Sequence, residues 1–497
     1  MAENVHDIAE AHVQGIDLDY RAPSIPESVK AGLPKPVFEQ DAGWLDLYWR
    51  TWSIAFDKLR TPDPSTGLVS YCDAAFSHNI FQWDTCFMLR FLRYAPGVFH
   101  AYGSLDNFYL KQHDDGFICR EINSVTGTDF WPKDHKSSIN PPLFADAEWS
   151  LYCLTGDTDR IQAVLPPLLR YHEWLCEHRR AADGVGFWTN ALGSGMDNSP
   201  RAHAAGGTDV HEDYGYTWVC MTAQMALSSL RICQLADVVG LSSVASRLNE
   251  EYETLRDYLR DGFWNEDLGC YADKLPDGSV SDVLTPATLW PLILPGEAPE
   301  RVDAVEKALL DPSKLGRRHL VPSLSADHEL YDPKGNYWRG SVWPPMVYLA
   351  VLAMRVNDRF DTARAITRNH LDIVHAVFSE TGTFWENYAP DSIAPGQIAR
   401  PEFVGWTGCG PIALLIEAEI GLDLDAATRQ VRWELSRSDR HGIENLDFGN
   451  GKVSLIYEPG SAELSVRCDE SFSLLVSVDE RCFNFDVSPG IQRLPLK

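Results

Sequence analysis

The sequence predicts a mainly α-helical protein whose helices form a closed double ring, followed by a small antiparallel β domain. Three observations predict this fold class. Twelve segments between residues 41 and 420 repeat their apolar residues at helical spacing. The connections between these segments alternate between short ones and long ones rich in Gly, Asp and Asn. From about residue 430 the apolar residues alternate with a period of two, which is typical of strands.

The N-terminal part shows no targeting or membrane-spanning pattern. No basic segment precedes an apolar stretch, and no apolar run reaches the roughly 18–20 residues that span a bilayer. We therefore expect a cytoplasmic protein. Residues 1–40 carry many Pro and polar residues, and we expect them to form an arm before the first helix.

The helical region is predicted to be one domain over residues 41–425. Its first helix places Trp44, Tyr48 and Trp52 on one face. The twelve predicted helices cover residues 41–60, 84–94, 98–110, 142–155, 157–180, 211–238, 242–262, 286–294, 299–310, 340–356, 359–379 and 406–420. Because the long loops of such a ring gather at one end, we expect them to form a pocket there.

The C-terminal region is predicted to be a small antiparallel β domain over residues 430–497. Strands are expected over residues 452–457, 462–467 and 472–478. The pairs Asn450-Gly451 and Pro459-Gly460 supply turn residues near these segments.

Composition narrows the class of protein. The chain of 497 residues has a formal net charge of −28, which argues against binding to nucleic acid and to anionic membranes. A small or neutral partner fits better. The 11 cysteines are scattered, without CxxC pairs or His clusters, and so predict neither a disulfide framework nor a structural zinc site. We expect no metal and no cofactor.

Polar and aromatic residues crowd into six stretches of the loops and helix starts. These stretches are residues 76–85, 137–143, 193–201, 337–345, 383–391 and 403–411. Two loop carboxylates stand out among them, Asp197 after two glycines and Glu386 beside Trp385. Cleavage of a glycosidic bond needs one acid that protonates the leaving oxygen and a second carboxylate that activates water or attacks the anomeric carbon. The sequence therefore predicts a glycosidase that acts on a small carbohydrate.

The other candidates are expected to bind substrate. Trp83 beside Asp84 suits a sugar clamp, with the ring on a pyranose face and the carboxylate on two hydroxyls. Arg339, between Trp338 and Trp343, suits either a carboxylate partner or a grip on sugar oxygens.

Each of these residues also has a purely structural interpretation. Core packing alone explains a tryptophan, and helix capping is the structural interpretation of Asp84 and, taken in isolation, the favoured one of Asn140. An Asx-turn explains Asp197, and an ordinary structural tie explains Arg339. Trp406 opens the last predicted helix, at the end of the ring where the long loops are expected to gather. The glycines around it in the sixth stretch are also explained by close packing alone.

Taken together and in this order, the six stretches resemble the motif set of the catalytic domain shared by mannosylglycerate hydrolases and glycoside hydrolase family 63, with trehalases as more distant relatives. The resemblance covers nearly all of the helical region. It implies an (α/α)6 barrel and inverting hydrolysis of a terminal α-linked glucosyl or mannosyl unit. Mannosylglycerate, glucosylglycerate and α-glucosidic disaccharides are all substrates that such a glycosyl pocket would accept. It also implies that Asp197 is the general acid and that Glu386 is the general base that activates water.

The resemblance further implies which side chains hold the cleaved glycosyl unit: Trp83, Asp84, Asn140, Trp338, Arg339 and Trp343. Asn140 stands where relatives often carry Gln. A charged aglycone such as glycerate could meet residues that match no family motif for it, namely Arg120, Lys133, His135, Arg201 and His203. Of these, Arg201 is counted among the substrate-binding candidates, together with His78, Trp385 and Trp406.

Two other classes of function stay open. A polysaccharide lyase or a sugar epimerase on the same barrel would use His or Tyr as its base, so that His78, His135, His203 or His211 would be central. A lyase releases an unsaturated sugar that absorbs in the near ultraviolet, whereas a hydrolase does not. A carbohydrate-binding protein without catalysis would bind the ligand and release no reducing sugar.

Overall fold

The computed structural model of the protein describes residues 24–74, 79–205, 209–478 and 481–496. Within these residues the chain is mainly helical and ends in a β domain, as the sequence predicts. The α- and π-helices of the described residues are α1 (Glu27–Lys30), α2 (Ala42–Asp57), α3 (Gln82–Leu92), α4 (Ala101–Leu110), α5 (Phe144–Thr155), α6 (Thr158–His178), α7 (Val219–Val238), α8 (Ser242–Gly262), α9 (Leu289–Leu292), α10 (Pro299–Leu310), α11 (Pro344–Val356), α12 (Phe360–Thr381) and α13 (Gly410–Ile420). None of these helices is long and apolar enough to cross a membrane.

Six of the helices contact one another in cyclic order. The contacts run from α3 to α5, α7, α9, α11 and α13, and from α13 back to α3. Nearly every residue of α3, α11 and α13 is buried, so these helices are apolar on all sides. The cyclic contacts bring the N-terminal ends of α3, α11 and α13, and the loops before them, to the site described below.

The remaining long helices pack outside this set and bury one face. α8 buries Ala245, Leu248, Tyr252, Leu255 and Leu259, a spacing of three to four residues that puts them on a single stripe. α2 packs on α12 and α13, α4 on α3, α6 on α5 and α7, and α12 on α11 and α13. The amphipathic pattern in the sequence therefore identifies the outer helices, and continuous apolar runs identify the inner ones.

The predicted helix boundaries hold to within a few residues, except at the start of α7. The predicted helix over 211–238 begins only at Val219, because Thr217 forms an antiparallel bridge with Lys274. The predicted helix over 406–420 starts as a 3-10 turn at Trp406–Cys409 and continues as the π-helix α13.

The long loops contain short strands that the sequence analysis did not predict. They are β2 (Leu59–Arg60), β3 (Tyr71–Cys72), β4 (Asn79–Phe81), β5 (Glu121–Asn123), β6 (Thr128–Asp129), β7 (Trp264–Asn265) and β8 (Cys270–Tyr271). β4 pairs with β5 directly before α3, and this pairing fixes how the chain enters that helix.

The β domain contains two sheets and begins at Leu422, before the predicted start at 430. Its strands are β9 (Leu422–Asp425), β10 (Gln430–Leu435), β11 (His441–Phe448), β12 (Gly451–Glu458), β13 (Glu463–Cys468), β14 (Phe472–Val478), β15 (Arg481–Val487) and β16 (Gly490–Pro495). The five-stranded sheet has the order β1-β11-β12-β13-β16, in which β1 is Lys35–Phe38. Residues predicted to form an arm thus add an edge strand to this sheet.

The prediction of a wholly antiparallel domain is wrong for one pair of strands. In the four-stranded sheet, of order β15-β14-β10-β9, strands β10 and β14 are parallel. Between these two strands the chain builds β11, β12 and β13 in the other sheet, and this long connection permits a parallel return.

Candidate active site

Of the two predicted acids, Asp197 contacts the tyrosine of the fourth stretch, and Glu386 lies near enough to act on its charge. The Tyr337 hydroxyl donates a hydrogen bond to Oδ2 of Asp197 at 3.3 Å. Both Asp197 and Glu386 act electrostatically on Tyr337, and Asp197 raises the pKa of Glu386. The fold therefore brings together two carboxyl groups that come from distant parts of the chain.

The pKa values of these carboxyl groups are displaced upward. Burial raises the pKa of Asp197 to about 6, against the opposing effects of Arg120 and of the Tyr337 hydrogen bond. Burial raises the pKa of Glu386 to about 8, and repulsion by Asp197 adds to this effect. Such values mean that the pair holds a proton near neutral pH, which acid–base catalysis requires.

Asp84 is a third carboxyl group of the same site. Burial raises its pKa well above the usual range, and the charge of Glu386 raises it further. Because α3 begins at Gln82, Asp84 is the third residue of the helix and does not occupy the capping position. Its Oδ1 is buried and has no hydrogen-bond partner among the described residues, so capping does not explain this residue.

The loop that carries Asp197 is held on two sides. On one side Gly195 lies against the indole of Trp83, and a Cβ atom there would come within 3.0 Å of the ring. On the other side the side chain of Asn198 accepts a hydrogen bond from the Trp338 backbone at 2.7 Å. The Arg339 Nε donates to the backbone oxygen of Asn198 at 2.9 Å. The first, third and fourth stretches therefore form one structure around Asp197.

The segment that carries Glu386 is fixed by backbone hydrogen bonds. Tyr388 and Val342 exchange backbone hydrogen bonds of 2.8 and 3.0 Å. The Glu386 backbone N–H donates to the Arg400 carbonyl at 2.8 Å, and the Arg400 N–H donates to Oε2 of Glu386 at 3.3 Å. Trp406 Nε1 donates to the Glu386 carbonyl at 2.8 Å. These contacts join the fourth, fifth and sixth stretches.

Three of the predicted tryptophans form a buried wall behind Tyr337. Trp338 and Trp343 are stacked, with ring centroids 4.0 Å apart and an interplanar angle of 3°. Trp343 and Trp406 meet at a steep angle, with centroids 5.6 Å apart. The Trp343 indole N–H also donates to the Tyr337 carbonyl at 3.2 Å. Since Trp338 and Trp343 cover one another's faces, their packing positions Tyr337 whatever contact they make with a sugar.

Trp83 and Asn140 offer polar groups that no described residue satisfies. The indole nitrogen of Trp83 and both amide atoms of Asn140 are buried without a hydrogen-bond partner among these residues. Asn140 precedes α5 by several residues, so helix capping does not explain it. Its neighbour Ile139 adjoins the Gly193 backbone, at the start of the Asp197 loop.

Two predicted substrate-binding residues are engaged elsewhere. Arg201 is buried and forms a double ion pair with Asp273, with distances of 2.6 and 2.7 Å, while its guanidinium lies over Trp218. This pairing makes Arg201 an anchor for the end of the Asp197 loop, and its binding of substrate stays a prediction. The Trp385 indole N–H donates to Thr381 at the end of α12, and no contact within the described chain brings its ring to the acids.

Among the remaining candidates that the structure describes, one is without an acidic partner among the described residues and the others have partners of their own. Arg339 is half-buried, and burial lowers its pKa without help from any acidic partner. Arg120 is buried and ion-paired with Glu121, and Lys133 is paired with Asp115. His135 packs against Trp131, with the two rings tilted by 37°. The predictions for His78 and for the His203 side chain lie outside the described residues.

Tyr337 is the functional candidate that the sequence analysis did not single out. Its backbone lies in the left-handed region, with φ of 55°, which is rare for a bulky residue. A tyrosine in the sequence does not predict a left-handed backbone, so this conformation could not be read from residue type. The aromatic residue that opens the fourth stretch was the available hint.

The comparisons with known proteins agree with the fold. The family model described as "Mannosylglycerate hydrolase MGH1-like glycoside hydrolase domain" matches residues 77–400, well over half of the chain. An uncharacterized protein of Borreliella burgdorferi is 23% identical over 460 residues, which cover 88% of this chain and 93% of that protein. The mannosyl-oligosaccharide glucosidase of Saccharomyces cerevisiae is 24% identical over 300 residues, covering 50% of this chain and 34% of the yeast protein. The chain thus spans about a third of the yeast enzyme's length.

A solved structure of similar fold is the glycoside hydrolase family 63 mannosylglycerate hydrolase of Thermus thermophilus, in complex with glucose. It matches with a TM-score of 0.59 and 19% identity, over 73% of this chain and 98% of that one. A second structure of that enzyme holds Tris and D-glycerate. Fold, site and family model together define an enzyme that hydrolyses glycosidic bonds. The chain belongs to the mannosylglycerate hydrolase MGH1-like family of glycoside hydrolases.

Proposed function

We propose that this enzyme removes a terminal α-linked glucosyl or mannosyl unit from a small glycoside, with inversion, using Asp197 as general acid and Glu386 as general base. The observation that carries the proposal is that Asp197 contacts Tyr337, while Glu386 lies near enough to both for its charge to raise the pKa of Tyr337 and for Asp197 to raise the pKa of Glu386. We also propose that the cyclic contacts of α3, α5, α7, α9, α11 and α13 form the inner layer of an (α/α)6 barrel.

The proposed reaction is a single displacement. Asp197 gives its proton to the glycosidic oxygen as the bond from this oxygen to the anomeric carbon breaks. Glu386 takes a proton from a water molecule as that water attacks the anomeric carbon from the opposite face. The products are the free sugar of inverted configuration and the aglycone alcohol. For an inverting enzyme the carboxyl groups stand about 6.5–9.5 Å apart, which leaves room for the water.

The pKa order of the free enzyme runs opposite to this division of roles. With pKa values of about 6 for Asp197 and about 8 for Glu386, the shared proton rests on Glu386 in the absence of substrate. The proposal therefore requires that bound substrate shift the proton from Glu386 to Asp197. An aglycone over Asp197 excludes water and favours the neutral acid, while the attacking water hydrogen-bonds to Glu386 and favours the carboxylate. The roles rest on the family motif and not on the pKa order.

The pocket for the glycosyl unit is proposed to include Trp83, Asp84 and Asn140. All three bury polar atoms that no described residue satisfies, and sugar hydroxyls supply both donors and acceptors. Protonated Asp84 would donate to a sugar oxygen and ionised Asp84 would accept from a hydroxyl, so either form fits.

An anionic aglycone of the glycerate type is favoured by Arg339. This half-buried guanidinium has no acidic partner among the described residues, and it is tied through Asn198 to the loop that carries Asp197. A carboxylate on the aglycone would therefore meet a desolvated cation close to the general acid. Since all 11 cysteines are free thiols, we further propose that the enzyme works in a reducing compartment such as the cytoplasm.

A substrate panel tests the proposal. The protein is incubated with mannosylglycerate, glucosylglycerate and neutral α-linked disaccharides, and the first-formed anomer is followed by NMR. We expect release of the β-anomer from an α-glycoside, with the glycosylglycerates preferred. Release of the α-anomer would refute inversion. An unsaturated sugar that absorbs in the near ultraviolet would identify a lyase. Binding without release would identify a non-catalytic carbohydrate-binding protein.

A further inference from the structure

Outside the candidate active site, three side chains with metal-binding atoms converge between two helices. His172 and Cys176 lie one turn apart on the same face of α6, and Glu251 faces them from α8. One potential ligand atom from each lies within 4.8 Å of the others. No motif in the sequence marks this cluster, because Glu251 is far along the chain and the single pair has no CxxC or HxxxH spacing.

The distances within the cluster are close to the ligand spacing of a tetrahedral zinc site, and the two contacts to Glu251 are made to different carboxylate oxygens. His172 Nε2 lies 3.2 Å from Glu251 Oε2 and 3.6 Å from Cys176 Sγ, while Cys176 Sγ lies 3.3 Å from Glu251 Oε1. Bond lengths of about 2.0–2.3 Å at tetrahedral angles place ligand atoms about 3.3–3.6 Å apart. With one ligand atom from each residue the three atoms lie within 4.8 Å of one another, so binding an ion requires Glu251 to turn one oxygen toward both His172 Nε2 and Cys176 Sγ.

A third helix orients the histidine. The Ser228 hydroxyl on α7 lies 3.0 Å from His172 Nδ1. A serine hydroxyl can accept a hydrogen bond from Nδ1–H, which leaves the lone pair of Nε2 for a metal ion. Metal-binding histidines commonly have such a partner on their other ring nitrogen.

One cation already lies beside the cluster. Arg180 donates through one nitrogen to Glu251 Oε1 at 2.9 Å and through the other to the Val185 carbonyl at 2.6 Å. Its side chain is 31% exposed, so it can turn into solvent. It occupies the side of Glu251 that a metal ion would use, and it therefore competes with a bound ion.

We propose that His172, Cys176 and Glu251 form a binding site for a zinc-like divalent cation, with Arg180 as a built-in competitor. On binding, the Cys176 thiol loses its proton to solvent, His172 binds through Nε2, and Arg180 releases Glu251. A thiolate and a carboxylate then balance the two positive charges, and the soft thiolate with an imidazole favours Zn²⁺ over Mg²⁺ or Ca²⁺. The fourth position is left to water. The proposal is independent of the glycosidase mechanism.

Cobalt titration of the full-length protein tests the site. Metal-free protein is titrated with Co²⁺, and the near-ultraviolet charge-transfer band of a thiolate–cobalt bond is followed together with the visible bands of tetrahedral cobalt. We expect one equivalent to bind, Zn²⁺ to displace it, and Cys176→Ser to remove the band. The matched control is Cys153→Ser, which alters another half-buried thiol and should keep the band. Hydrolysis by Cys176→Ser should equal that of the wild type.

Two further variants separate a metal site from an ordinary hydrogen-bonded cluster. Arg180→Ala removes the competing cation, so Co²⁺ should bind more tightly, whereas Ser228→Ala should weaken binding by about 10- to 100-fold. Absence of a thiolate band in the wild type would overturn the proposal. A band that survives in Cys176→Ser, or an Arg180→Ala variant that binds no more tightly, would also overturn it.

Discussion

The Tyr337 hydroxyl donates a hydrogen bond to Oδ2 of Asp197 at 3.3 Å, from a backbone held in the left-handed region. Trp343 fixes this conformation by donating to the Tyr337 carbonyl. The acid and the tyrosine that orients it are therefore placed by different loops, and the stacked tryptophans join the two.

Replacement of this tyrosine by phenylalanine tests its role. Tyr337→Phe removes one hydrogen bond to a carboxyl group, and we expect kcat to fall by about 10- to 100-fold, since a hydrogen bond to a charged group is worth about 1.5–3 kcal/mol. Because the hydrogen bond lowers the pKa of Asp197 in the wild type, that pKa should rise in the variant. Steady-state kinetics across pH measures both effects. An unchanged kcat would show that the hydroxyl does not serve the acid.

The pH dependence of kcat/KM should be bell-shaped, with limbs near about 6 and about 8. Below the lower pKa both Asp197 and Glu386 are protonated and no base is available. Above the higher pKa both are ionised and no acid is available. These values belong to the pair and not to either residue alone. A rate that keeps rising above pH 8 would contradict a proton shared by the two groups.

Gly195 is predicted to be irreplaceable for a steric reason. Gly195→Ala places a methyl group 3.0 Å from the Trp83 ring and should displace the Asp197 loop, lowering kcat by about 10- to 100-fold. Gly184→Ala is the matched control, because Gly184 has a similar positive φ of 75° with open space around it. Both variants carry the same backbone penalty, so equal activity in the two would exclude the steric explanation.

The Arg201–Asp273 pair is predicted to stabilise the fold. Arg201→Ala leaves a buried carboxylate without its partner and should lower the free energy of unfolding by about 3–5 kcal/mol. The control is Arg247→Ala, which breaks an exposed pair with Glu173 and should cost about 0–1 kcal/mol. Denaturant unfolding measures both. A stable Arg201→Ala variant with a raised KM alone would support the substrate-binding interpretation.

Much of the helical architecture could be predicted from the sequence because burial leaves a periodic record. α8 shows its stripe of five buried residues directly, and α11 its apolar run after Pro344. The edge strand β1 could not be predicted, because four residues that include Pro36 carry too little pattern. The parallel pairing of β10 with β14 depends on the path of the chain between them, which no local pattern encodes.

The candidate site was predictable as a set of residues but not as a set of roles. The motif order marked Asp197, Glu386, Trp83 and Asp84, and the structure brings their segments together. The order of the motifs could not reveal that Arg201 forms an ion pair with Asp273, because this pairing depends on which side of the loop the arginine side chain faces.

The central claim is that Asp197 and Glu386 act as acid and base on one glycosidic bond. The most direct test is to compare Asp197→Asn and Glu386→Gln on a natural glycoside and on a glycosyl fluoride, whose leaving group needs no acid. Both variants should lose about 10²- to 10⁴-fold in kcat on the natural substrate while remaining folded. On the fluoride, Asp197→Asn should regain activity and Glu386→Gln should not. Near-normal turnover of the natural substrate by either variant, or recovery of Glu386→Gln instead, would contradict the claim.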